Sequence, residues 1–152
     1  MKRILNSMVA AALAAGIGTG LATGLAGQAA AADLTIRIEG VEQAAGTFHI
    51  AVFEADGWEE NQTVASGRLA AEEGAELTLT GLVPGAYGIK IFQDVDDNGQ
   101  LNLGMWGIPS EPYGFSNDAP ARGGPPSFRQ ASFKLAEPGT VQTIRLHQGP
   151  SH

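Results

Sequence analysis

The chain has 152 residues, no cysteine, and 16 acidic against nine basic residues, a formal net charge of −7 at pH 7. Disulfides and cysteine-ligated metal centres are therefore excluded. Nucleic acid and anionic membrane surfaces are poor partners, because both need clustered Lys and Arg, whereas divalent cations suit such a balance.

Lys2 and Arg3 open the chain with positive charge, and an uncharged run rich in Ala, Leu and Gly extends from Ile4 to Ala32. A positive start, an apolar middle and the small-residue end Ala30-Ala31-Ala32 form the pattern of a secretory signal peptide. The run is long enough to span a bilayer. Against an anchor, Gly16, Gly18, Gly20, Gly24 and Gly27 weaken it as a helix, and no stop-transfer charges follow. Residues 1–32 are thus expected to be removed, with the mature chain, 33–152, starting at Asp33. Loss of Lys2 and Arg3 leaves seven basic residues against 16 acids, a formal charge of −9. The expected product is extracytoplasmic, periplasmic or secreted, with no integral membrane segment after cleavage.

Short alternating segments dominate the mature chain. Leu34-Ile36-Ile38, Phe48-Ile50-Val52, Leu77-Leu79, Tyr87-Ile89-Ile91, Phe133-Leu135 and Ile144-Leu146 each place apolar residues at every second position, the period of half-buried strands. A seventh strand is read around Val64–Leu69. Turn pairs at Ala45-Gly46, Pro84-Gly85 and Pro138-Gly139 separate them. A short helical turn is expected near Trp58–Gln62, with Trp58 as a packing residue. Strands of this length and spacing predict an all-β protein, an antiparallel β-sandwich (Ig-like or prealbumin-like) of about seven strands. Between Asp94 and Ser127 no strand is evident. Leu101, Leu103, Met105, Trp106, Ile108, Tyr113 and Phe115 in this stretch argue for an ordered loop over 94–127 rather than disorder.

Several strings in this region resemble a known family. Gly81-Leu-Val-Pro-Gly-Ala-Tyr87, Asp94-Val-Asp-Asp-Asn-Gly-Gln-Leu101, Trp106-Gly-Ile-Pro-Ser-Glu-Pro-Tyr-Gly-Phe-Ser-Asn117 and Gly124-Pro-Pro-Ser-Phe128 are similar to an uncharacterised family of exported bacterial proteins, domain of unknown function 2141. The resemblance implies an extracytoplasmic β-sandwich and brings no established activity. The Leu82-Val-Pro-Gly-Ala-Tyr87 turn is more loosely similar to transthyretin-like and carboxypeptidase-regulatory-like modules. Against the family pattern, Asn102 stands where Asp is expected and Asp96 where Asn is usual.

Asp94, Asp96, Asn98, Gly99 and Gln100 occupy places one, three, five, six and seven of a D-x-D-x-N-G loop. Calcium takes six to eight oxygen ligands, and alternating carboxylates and amides on a tight turn supply several. Met105 stands at the twelfth place, so the loop is not an EF-hand, and a further carboxylate has to come from Glu111, Asp97 or Asp118. The candidate metal set is Asp94, Asp96, Asn98, Gln100 and Glu111, with Ca2+ as the cofactor. The competing reading is a solvated turn whose Asp and Asn side chains bond their own backbone.

Trp106, Tyr113 and Phe115 are candidates for a carbohydrate platform, because rings offer flat apolar faces. No catalytic residue is assigned. His49, His147 and His152 lack a Ser or carboxylate at a spacing that implies a triad. A hydrolase using Asp94 and Glu111 as paired carboxylates is a third alternative. His147 and His152 would make a tail site for a transition metal, for which a frayed terminus is the simpler account. The sequence therefore reads as a non-enzymatic accessory or binding module, its partner a carbohydrate or an envelope protein.

Overall fold

The computed structural model describes residues 30–149. Residues 1–29 of the expected leader, and His152, lie outside that range. Two sheets face each other. One holds β4 (Glu76–Leu82), β1 (Ala32–Glu39) and β8 (Gly139–Arg145), in that order. The other is ordered β3 (Ala65–Ala70), β2 (Thr47–Phe53), β5 (Gly85–Asp94) and β6 (Tyr113–Phe115), and β7 (Phe133–Leu135) also pairs with β5. This is the expected all-β sandwich. Its pairings are antiparallel except that β8 lies parallel to β1, which the long return from the opposite sheet permits.

Alternation builds the core. Leu34, Ile36 and Ile38 from β1 meet Phe48, Ile50 and Val52 from β2 and Tyr87, Ile89 and Ile91 from β5, all buried. Burial of such side chains contributes about 1.5–3 kcal/mol each. β1 opens at Ala32, on the leader side of the expected cut, and Ala32 is fully buried and pairs with Leu82.

Two local expectations shift. The helical turn near Trp58 is α1 (Ala55–Trp58), three residues earlier than read. Its Trp58 is buried, packs edge-on against Phe53 and Phe128, and donates from Nε1 to the Pro126 carbonyl. The long loop contains β6, only three residues long, opposite Lys90–Phe92 of β5. Three residues carry too little alternation to be legible, and the middle one is Gly114. A Cβ there would lie 2.6 Å from the Arg145 carbonyl oxygen, so glycine is what lets β6 pass under the end of β8. A second short helix, α2 (Phe128–Ala131), starts in a capping box of Ser127 and Gln130.

Candidate metal centre and adjoining cleft

Asp94 is the last residue of β5, only 1 % exposed, and the loop wraps round its carboxylate. Oδ1 accepts the Asn98 N–H at 3.0 Å and Oδ2 the Gly99 N–H at 2.7 Å. Gly99 has φ +81°, a conformation that glycine adopts without steric cost, and it closes the turn. Burial opposes ionisation of Asp94. The Gly99 and Asn98 amides, with the neighbouring Asp96 and His49 side chains, outweigh it and hold the carboxyl below its ordinary range.

Glu111 comes from the other end of the loop. Its two oxygens accept the N–H groups of Val95 and Asn102, each at 2.8 Å. One buried side chain therefore clasps both the first and the eighth residue of the segment that follows Asp94. Asp96 accepts the Asn98 N–H on Oδ1 and the amides of Asn98 and Asn102 on Oδ2. Oxygens of Asp94, Asp96 and Glu111 lie within 4.8 Å of one another. A carboxylate pair offers about four lone-pair positions, so each of the three keeps at least one unused. Beside them is a hollow of about 390 Å³ lined by Asp96, Asn102, Glu111 and Gln93, among others. Gln93 is 1 % exposed and gives its Nε2 to the carbonyls of Gln43 and Ala45, while its Oε1 has no hydrogen-bond partner.

The structure thus brings Asp94, Asp96 and Glu111 together, with Asn98 beside them. Gln100 joins only through its backbone N–H, which donates to Asn98 Oδ1. Asp97 and Asp118 are engaged elsewhere: Asp97 accepts from the Thr47 hydroxyl at 2.8 Å, and Asp118 lies 2.6 Å from His147 Nε2. Asp94 and Glu111 hold backbone N–H groups, an arrangement that lends a hydrolytic carboxylate pair no support.

Asn102 and Ser110 form the base of a finger. The Ser110 N–H donates to the Asn102 carbonyl and Leu103 bridges to Pro109. Its tip exposes Leu103, Met105 and Trp106, the last at 90 %. Trp106 has φ +65°, which turns the chain back on itself. Between this finger and the outer face of the five-stranded sheet runs a cleft of about 1060 Å³. Trp106, Tyr113 and Phe115 all line it, but Phe115 is 8 % exposed and packs in a second apolar cluster with Phe53 and Trp58. A platform would therefore rest on Trp106 and Tyr113.

Three residues of this region, Gln93, Lys90 and Arg68, were not singled out in the sequence, and His49 was weighed there only as a triad member. Gln93 lies in phase with Ile89 and Ile91 on the inward face of β5, and its Nε2 is held by the Gln43 and Ala45 carbonyls of the connection between β1 and β2. His49 stands beside Asp94, at 3.2 Å, and stacks on Phe92 with ring centroids 4.7 Å apart. Its outward position follows from alternation, but its neighbours depend on the β2–β5 register, which places it opposite Phe92. Lys90 donates to the Trp58 carbonyl and to Asn61 Oδ1 and lies over the Phe53 and Trp58 rings. Burial lowers its pKa, partly offset by Glu59. Arg68 pairs in register with His49.

Among the described residues no helix is long and apolar enough to cross a membrane. No curated protein and no solved structure matches the chain. The sequence profile of a bacterial family, described as an uncharacterized protein conserved in bacteria, matches residues 36–143, from the middle of β1 into β8 and through the whole loop. With that match spanning both sheets, the carboxylate clasp and the finger, the chain belongs to this family, domain of unknown function 2141.

Proposed function

We propose that the protein is an exported β-sandwich binding module whose long loop is held against the sheet by a calcium ion. The observation that carries this reading is the approach of Asp94, Asp96 and Glu111, from two ends of the loop, to within 4.8 Å. Three carboxylates so close repel one another unless donors or a cation offset their charge. The donors present include the amides of Asn98 and Asn102, whose oxygen and nitrogen ends exchange by a simple flip. Turned over, the Asn102 amide would offer its oxygen to a cation, while Asn98 keeps its Oδ1 on the Gln100 N–H. The unpartnered Gln93 Oε1 adds a neutral oxygen of the kind calcium accepts. Asp94, Asp96 and Glu111, with these amides, would hold the ion, and its role would be to fix the finger over the cleft.

Melting in chelator and in millimolar calcium tests this. An ion bound only to the folded state adds about 2.7 kcal/mol at 100 times its dissociation constant. The parent and Asp97→Ala are expected to gain this increment, and Asp96→Ala to lose it. No calcium-dependent rise in the parent, or equal loss in the two variants, overturns the proposal.

The exposure of Trp106 favours a second reading, a carbohydrate-binding module that stacks a sugar on Trp106 and Tyr113. Quenching of tryptophan fluorescence by soluble oligosaccharides, abolished in Trp106→Ala, is its test.

A further inference from the structure

The cleft beside the metal centre has a charge opposite to that of the chain. The protein carries 16 acids and nine bases, yet no Asp or Glu lines this cleft, whereas His49, Arg68 and Lys90 do. These three come from adjacent strands of one sheet, β2, β3 and β5. Lys90 is already anchored by two oxygen acceptors, and one ring nitrogen of His49 is turned to Asp94. Arg68 differs. It is exposed, and no ion pair or hydrogen bond involves its guanidinium among the described residues. A guanidinium carries five donors in a fixed fork that matches an oxyanion in two-pronged fashion.

Apart from Asn61, which Lys90 already engages, and Ser66, the rest of the lining is largely apolar. Phe92 and Tyr113 form one wall, and Leu101, Leu103, Trp106 and Ile108 of the finger form the other. A volume of about 1060 Å³ is at the upper end of small-molecule sites, which combine apolar walls with a few placed polar groups. For a neutral sugar the uncharged side chains offer only the Ser66 and Tyr113 hydroxyls, because Asn61 is engaged by Lys90, so the free guanidinium favours an anion over the sugar reading. A polyanion would need more than one free cation. The structure assigns to this cleft an amphiphilic monoanion: an apolar ring system or acyl body lying between finger and sheet, with a carboxylate or sulfonate head group on Arg68.

Two dyes of nearly the same skeleton decide it. 8-Anilino-1-naphthalenesulfonate carries the anionic group, and N-phenyl-1-naphthylamine lacks it. Fluorescence titration of the full protein, in chelator and in calcium, is expected to show at least tenfold tighter binding of the sulfonate and its displacement by octanoate. Arg68→Ala should weaken the sulfonate about tenfold and leave the two dyes equal, with unchanged far-UV circular dichroism. Trp106→Ala should weaken both dyes alike, which separates the apolar wall from the head-group site. Equal affinity of the parent for the two dyes, an Arg68→Ala variant that binds the sulfonate as the parent does, or displacement by a neutral oligosaccharide but not by octanoate overturns the assignment. The comparison in chelator keeps it distinct from the calcium proposal, because preference for the anion rests on Arg68 and not on Asp96 or Glu111.

Discussion

Replacing Glu111 by alanine isolates the clasp that shapes the loop. In the parent its two oxygens hold the N–H groups of Val95 and Asn102, 16 and nine residues away, from a buried position. Hydrogen bonds to a charged acceptor are worth about 1.5–3 kcal/mol each, so losing both should cost about 3–6 kcal/mol in chelator. Glu111→Gln keeps one acceptor oxygen and turns an NH2 toward the second backbone donor, so it should lose about half of that. Asp97→Ala removes one exposed bond to Thr47 and should cost no more than about 1 kcal/mol. Urea unfolding with chelator present gives all three values from midpoints, provided the slope is unchanged. Limited proteolysis of the finger, residues 102–110, should accelerate in the same order. A Glu111→Ala cost below about 1 kcal/mol, or loss of equal size in Asp97→Ala, would refute the view that this carboxylate fixes the loop.

Acid should weaken the domain through Asp94. Its folded pKa lies below its ordinary 3.8, so the stability it contributes is present above that value and is lost as pH falls through the folded pKa. In chelator, Asp94→Asn should be less stable than the parent at pH 6 and much closer to it at low pH, and a constant deficit across the series would contradict this. Ile89 is fully buried, and Ile89→Ala should cost about 2–5 kcal/mol in the same unfolding assay. Intact-mass analysis of exported material is expected to show a chain that has lost its leader and begins near Asp33, whereas a membrane-held species retaining Met1–Ala32 would refute cleavage.

The sequence by itself determined the class of fold and the material of the site. Period-two alternation is a local property of the backbone, so Leu34-Ile36-Ile38 and Tyr87-Ile89-Ile91 declare their buried faces without any knowledge of what they pack against. The D-x-D-x-N-G turn is equally local: Asp94 reaches the Asn98 and Gly99 amides within five residues, and their spacing already places them there. What spans greater distances was decided only in three dimensions. Glu111 stood as one of three acids able to complete the set, and the choice among it, Asp97 and Asp118 fell to how the finger doubles back from Asn102 to Ser110. The parallel partnership of β1 with β8 and the opposition of His49 to Arg68 and Phe92 depend on strand order and register. The capture of the Gln93 amide by the Gln43 and Ala45 carbonyls and the gathering of His49, Arg68 and Lys90 in one cleft depend on which loop and which strand lie alongside. These are pairings of residues eight to more than 100 positions apart, made by packing and loop closure. Neither leaves a mark in the pattern of any one segment.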